Sequence, residues 1–398
     1  DTISQLSIQA AGQIWGTGAL TVTDLSGSTF QSGRILANLA GSGTLNKTTT
    51  GTLILAGNNT YTGQTVVQAG VLNIRHDNAL GTAGSGNDTT VWSGATLELQ
   101  GGINVAGEAI TVVGNGHNIG SGSVNIYLGA LRNVSGTNRL GQTLTLNGDT
   151  LIRSESGNLI FDNATSIAST GLANLTIDGQ GEVTLRGSVN LSGGTLTKQG
   201  RGTLTFDQSL SSFPSVNWVS GVLGFNGPQS WGTYAVGAGK ALKFYSDPGA
   251  GVNIQLNQSA VIAGYAADQA LLSRIDGTTL QPGALLLGVD SSNPLNFTGH
   301  PTIVLGAFGS AAAPGGRIRY TGTLTPGLGG YLLGAPTGDR TDILEVASVL
   351  TGTANMGIYG PVWLSANNTF TGTINVDGAE ARLMNVMNNP QLGAAGNV

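Results

Sequence analysis

The amino-acid sequence predicts an all-β fold, a right-handed parallel β-helix (β-solenoid) with a divergent, loop-richer middle segment. Three observations lead there: short runs in which apolar and polar residues alternate, turns rich in Gly and Asn between them, and one stretch, Gly43 to Gly81, with degraded echoes elsewhere. Leu53-Ile54-Leu55, Val71-Leu72-Asn73-Ile74 and Leu144-Thr145-Leu146 carry the period-two pattern and β-branched residues of strands. The Gly, Asn, Ser and Asp between such runs tolerate positive φ or hydrogen-bond their own backbone, as turns require. Helix formers are sparse, with only four Lys and six Glu, and no window shows a sustained 3.6-residue apolar period.

A unit Gly-x-x-Leu, or Gly-x-Leu, recurs at Gly51, Gly94, Gly148 and Gly202. Its spacing suits pairs of coils of roughly 21 to 27 residues, within the range of β-solenoid repeats. Proline then divides the chain, because it cannot donate to a ladder and all 11 Pro lie between Pro214 and Pro390. The expected organisation is a regular solenoid over 1–206, a divergent segment with Pro and aromatics over 207–345, and a resumed solenoid over 346–398 that stops inside a repeat.

Composition limits the function. The 398 residues hold 65 Gly, no Cys and 9% charged residues, against about 7% Gly and about 25% charged in average proteins. With 39% hydrophobic residues the chain is too apolar for disorder. A net charge of -5 and scattered Lys and Arg offer no field for nucleic acid. Avoidance of thiols fits an extracellular protein. The chain opens at Asp1 with no signal region, as a mature or trimmed form would, and no apolar run is long enough for a membrane-spanning helix in this portion.

The stretch GTLNKTTTGTLILAGNNTYTGQTVVQAGVLNIRHDNALG resembles the autotransporter-associated β-strand repeat, also called the passenger-associated transport repeat. Gly43, Leu45, Lys47, Gly51, Leu53, Leu55, Gly57, Asn59, Thr60, Tyr61, Thr62, Gly63, Thr65, Gly70, Leu72 and Leu80-Gly81 match its pattern. A second copy, Gly194 to Phe206, keeps Lys198 and lacks the Asn-Thr-Tyr-Thr-Gly turn; a third, from Gly360, keeps Asn368-Thr369-Phe370-Thr371-Gly372 and Leu392-Gly393 but lacks the Lys and has Pro361 at a strand position. The resemblance implies a β-helical passenger region at the cell surface of, or secreted by, a diderm bacterium, with the repeat helping the chain fold during export. It supplies no catalytic residue. Independently of the family, the turn chemistry reads as architectural, with Asn satisfying turn amides, the aromatic covering the coil edge and Gly permitting the reversal.

No catalytic, cofactor or metal site stands out. His76, His117 and His300 lie far apart, Gly84-Ser85-Gly86-Asn87-Asp88 resembles a calcium-binding turn that works only in tandem, and Gly334-Ala-Pro-Thr-Gly-Asp lacks the ending of a phosphate loop. The 15 Asp and six Glu sit mostly in Gly-rich turns such as Asp178-Gly179, Asp276-Gly277 and Asp377-Gly378. Trp218, Trp231, Tyr234 and Tyr245 are the candidate ligand or partner surface, since aromatics are enriched at interfaces. The expected function is therefore a non-enzymatic structural or adhesive segment, self-associating head to tail or stacking on neighbouring repeats. The alternative is a module that binds or degrades polysaccharide, with surface glycans as partners.

Overall fold

The computed structural model describes residues 1–163, 165–207, 216–229, 232–276, 282–308, 317–334, 342–378 and 381–384. The chain forms two compact units, Asp1–Gly221 and Val222–Val398, and in each, strands of successive coils pair in parallel. Trp231, Gly277, residues 335–339 and Leu392-Gly393 lie outside the described residues.

In Asp1–Gly221, besides a short ladder of Thr2–Ile3, Ala19–Val22 and Asn38–Gly41, the coils feed three ladders. The first stacks Leu45–Lys47, Thr65–Val67, Thr89–Val91 and Ile110–Gly114 onto the N-terminal part of Leu144–Ser154. The second stacks Thr52–Leu55, Gly70–Ile74, Ala95–Gln100 and Leu131–Ser135 onto the C-terminal part of the same long strand, then Leu175–Gly179, Leu196–Lys198 and Val216–Trp218. The third joins Asn104–Val105, Thr137–Leu140, Asn158–Phe161, Glu182–Leu185 and Thr203–Phe206. Period-two alternation sends one apolar set inward on every rung. Thus Leu53, Leu72, Leu97, Leu131, Ile152 and Ile177 form one buried column, each side chain worth about 1.5–3 kcal/mol of burial.

Coil length is not constant. The stacked residues Ile74, Leu99 and Asn133 make one coil of 25 residues and the next of 34. The longer coil carries an extra antiparallel hairpin over residues 115–129, pinned by the Asn118↔Tyr127 bridge.

In Val222–Val398 one ladder runs through Lys240–Phe244, Ala260–Ala263, Gly283–Leu287, Ile303–Ala307, Tyr331–Leu333, Met356–Ile358 and Ile374–Val376. Its middle strands are buried on both sides, because Ile262, Leu286 and Val304 form a second cluster with Val222 and Ala284, opposite the core residues Val261, Leu285 and Leu305. Continuous apolar runs such as Gly-Ala-Leu-Leu-Leu are what a doubly covered parallel strand needs. A second ladder joins Arg317–Tyr320, Ile343–Val346, Pro361–Leu364 and Arg382–Met384. Pro361 stands at the first position of its strand, a place a residue without an N–H can take. The one described helix is a single turn, Gln269–Leu272, capped by the Asp268 carboxylate accepting from the Leu271 N–H at 2.9 Å.

Candidate functional site

Within the Gly43–Gly81 copy, the polar side chains bind backbone. Lys47 is fully buried, and its Nζ donates to the carbonyl of Thr49 and, at 3.1 Å, to that of Ala69 in the next coil. Burial pushes this ammonium down to about 8, which leaves it charged at neutral pH, where each carbonyl takes one N–H. Asn59 spans three coils: its Oδ1 accepts from the Leu39 N–H at 2.8 Å and its Nδ2 donates to the Ala79 carbonyl at 2.6 Å. A second amide row outside it links Asn38, Asn58 and Asn78, each contact 2.8 Å long. Tyr61 differs from the expectation that it covers the coil edge. It lies wholly inside, its hydroxyl 2.6 Å from Thr65 Oγ1, because the inward position of the stacked turn takes a ring.

The other copies repeat this chemistry at new places. Lys198 is also buried, and its Nζ donates to the carbonyls of Gln199 (2.5 Å), Gly200 (3.1 Å) and Ser220 in the next coil (3.5 Å). Burial lowers its pKa to about 8 against a small opposing effect of Asp178. Yet Leu45–Lys47 lies in the first ladder and Leu196–Lys198 in the second, so the second copy sits one ladder further round the coil. In the third copy Asn368 Oδ1 accepts from the Leu350 N–H at 2.7 Å, as Asn59 does for Leu39, and Phe370 is buried like Tyr61.

The second copy also resumes after Phe206. Val216-Asn-Trp-Val-Ser-Gly-Val-Leu repeats Thr65-Val-Val-Gln-Ala-Gly-Val-Leu, with Trp218 at the position of Val67 and Gly221 at that of Gly70. Both glycines have positive φ (81° and 68°) and sit where a Cβ would strike backbone oxygens of the preceding coil. Half-buried Trp218 pairs in register with Lys198 and donates its indole N–H to the Gly221 carbonyl at 3.3 Å. Of the other candidate surface residues, Tyr234 is half-buried with its ring 6.1 Å from that of the core residue Phe225, and Tyr245 lies under the Lys243 ammonium at 4.2 Å.

The structure brings distant acids together, each beside arginine. Arg132 bridges Glu98 (2.7 Å) and Glu155 (3.0 Å) across three coils of the second ladder. Asp162 lies between Arg139 (2.9 Å) and Arg186, which also reaches Asp207 at 3.2 Å. In the second unit Glu345 takes Arg319 at 3.3 Å and Asp247 takes Arg274 at 2.6 Å. Among the described residues no three His, Asp or Glu converge as metal ligands, and no helix is long and apolar enough to cross a membrane. A cavity of about 10 Å³, room for about one water, is lined by Phe297, His300, Ile303, Leu305, Tyr331 and Leu333 among others. Glu108 stands apart, because it is buried and among the described residues no cation reaches it: its Oε1 accepts from the Thr89 hydroxyl at 2.6 Å, and burial, with Asp88 adding, pushes it up to about 7.

Three exposed apolar residues of the first unit cluster on the 115–129 hairpin. Ile119 donates to the Ile126 carbonyl at 2.9 Å, Leu128 to that of His117 at 3.0 Å, and Arg153 to that of Tyr127 at 3.0 Å. Asn118 Oδ1 accepts from the N–H groups of Gly120 and Ile126, both at 2.9 Å, and so stiffens the tip. The hairpin has no Asp, Glu, Lys or Arg, while Ile119, Val124 and Ile126 are 56%, 60% and 46% exposed.

Residues 45–74 match the family model of the passenger-associated-transport-repeat. Over 439 aligned residues the chain is 28% identical to the Adhesin BmaC autotransporter of Brucella suis biovar 1, covering 94% of this chain and 12% of that protein. The chain thus spans about an eighth of the length of that relative. No solved structure matches.

Proposed function

Because the chain carries a passenger-associated transport repeat within a parallel β-solenoid, we propose that it is a non-catalytic, adhesive segment of a protein displayed at, or released from, the surface of a Gram-negative bacterium. The resemblance to a protein named an adhesin supports this reading. So do Glu98, Glu155, Asp162 and Glu345, whose carboxylates are held by arginines and are poorly placed for general acid–base work. The observation that carries it is the uncharged hairpin 115–129, which lifts three β-branched side chains into water from an otherwise regular stack. Long insertions on a rigid scaffold are where recognition concentrates, and exposed apolar patches mark partner surfaces.

The test compares the chain with an Ile119→Ser, Val124→Ser, Ile126→Ser variant, each displayed on beads over cultured cells. Adherence should fall with the variant while circular dichroism is unchanged. Equal adherence removes the hairpin as the contact surface, and adherence by neither defeats the adhesive reading. Head-to-tail self-association is a separate part of the proposal; light scattering that reports monomers across salt and concentration removes it.

A further inference from the structure

The first ladder of Asp1–Gly221 turns one residue per rung outward. Asn46, Val66, Thr90, Thr111, Thr145, Ala168 and Asn190 are aligned by the strand registers. None is charged, and Lys47 on the same ladder points inward. Strand spacing sets these side chains about 4.7–4.9 Å apart along the stack. Trp92 lies immediately past this row, tied by its N–H to the Val67 carbonyl at 2.9 Å. Gln68 and Val113 follow the paired residues Val67 and Val112 of the two neighbouring rungs, and Asn147 follows Leu146 on the rung beyond, where the register shifts. Its indole is 50% exposed. Of the acids flanking these strands, Glu108 is buried and Asp88 half-buried, while Asp149, exposed two residues past Asn147, accepts from the Asn174 backbone N–H at 2.8 Å and from its side-chain amide at 3.1 Å.

We propose that this face binds a neutral, extended oligosaccharide, with the Trp92 indole as the stacking platform and Gln68, Thr90, Thr111 and Asn147 as the hydrogen-bonding rim. A pyranose offers an apolar C–H face and a rim of hydroxyls, and an indole flanked by amides and hydroxyls complements both. Absence of cations from the outward row argues against uronic or sulfated sugars, whose charge would be desolvated without a partner. Rungs spaced close to the length of one sugar unit let a chain lying along the stack meet similar donors on each coil. The site borders the root of the hairpin proposed for adhesion, where Gly114 packs against Ser93 and the His117 N–H donates to Thr96 Oγ1, but it uses none of the exposed tip residues Ile119, Val124 and Ile126.

The experiment titrates the 398-residue chain with cellotetraose, maltotetraose, xylotetraose and chitotetraose, with tetragalacturonate as the acidic comparison, by calorimetry at low and high salt. At least one neutral tetrasaccharide should bind with little salt dependence. Trp92→Ala should weaken it roughly tenfold or more, the equivalent of about 1.4 kcal/mol. Trp92→Phe should retain most of the affinity, Thr90→Val should lose part, and the triple-serine hairpin variant should bind like the native chain. Circular dichroism checks the fold of each variant, with the Phe variant as the fallback should Ala disturb it. The proposal is overturned by silence toward every neutral sugar at millimolar concentration, by unchanged affinity in the Trp92 variants, or by preference for tetragalacturonate. A Trp92-dependent dimer in sedimentation would also overturn it, by making a second copy of the chain the occupant.

Discussion

Replacing Glu108 with Gln tests how the interior of the repeat handles charge. Glu108 is 5% exposed; Thr89 donates to it, and Tyr61 and Asp88 are the titratable groups that interact with it. An acid whose folded pKa is raised binds more protons in the folded state than in the unfolded one. Its contribution is therefore fully present below about 4.5 and is lost as pH rises toward about 7. The gap between 4.5 and about 7, at about 1.36 kcal/mol per pH unit, limits the loss to roughly 3 kcal/mol. Glu108→Gln removes the ionisation and keeps an acceptor for Thr89. The variant should gain on the native chain progressively between pH 4.5 and 7 and hold that gain to pH 8. Coils of a solenoid contact mainly their neighbours, so the effect is local. Hydrogen exchange at amides of Thr65–Val67, Thr89–Val91 and Ile110–Gly114 is the assay, with urea unfolding as a global check. A difference between variant and native chain that does not change with pH, or that grows toward acid, would refute the reasoning.

Three other substitutions probe the repeat. Asn59→Ala strands the Leu39 N–H and the Ala79 carbonyl inside the stack, at about 1–3 kcal/mol for each buried group left unpaired; the urea midpoint should drop, and an unchanged midpoint would show that water replaces the amide. Gly63→Ala places a Cβ 2.4 Å from the Gly43 carbonyl oxygen at φ 123°. The backbone alone costs about 1–3 kcal/mol, so the melting temperature should fall well below that of Gly171→Ala, where the added methyl meets open space. Arg132→Met leaves the largely buried Glu98 carboxylate without its cation; stability at pH 7 should fall by about 3 kcal/mol, and an unchanged urea midpoint would show that the Asn73 amide alone holds the carboxylate.

Much of the fold is legible in the sequence because the inward column obeys a local rule. Alternation marks Leu53, Leu72 and Leu97 as one side of a strand each, and Gly-Asn turns mark the corners. Coil length obeys no such rule. A register that moves 25 residues on one turn and 34 on the next hides which outward residues meet, so Glu98, Arg132 and Glu155 read as scattered charges. The hairpin escaped for a related reason: residues 115–129 are turn-rich, as corners are. Trp218 reads as a free aromatic because the Val216–Leu223 echo follows a gap in the motif and replaces Val67 by Trp. Nothing local in Asn-Thr-Tyr-Thr-Gly reports that its ring faces inward, since that depends on the coils stacked around it.

The change of ladder between copies bears on what the repeat does. If the motif specified a place in the solenoid, Lys47 and Lys198 would share a ladder; they do not. What they share is a partner set, the carbonyls of the turn that follows their own strand and of the matching turn one coil on. Asn59 and Asn368 likewise bind to the coil before. Each tie that the copies share therefore reaches one coil in either direction and no further. A chain held by such ties can add coils one at a time, because each new coil finds its polar partners on the last one formed and no distant segment has to arrive first. That is the property a segment needs if it folds while being passed out of a cell in extended form. It predicts that Lys198→Met slows folding of the coils around Lys198 and leaves those around Lys47 unchanged in pulse-labelled hydrogen exchange, whereas a uniform slowing of both would mean that the ties act through the whole stack.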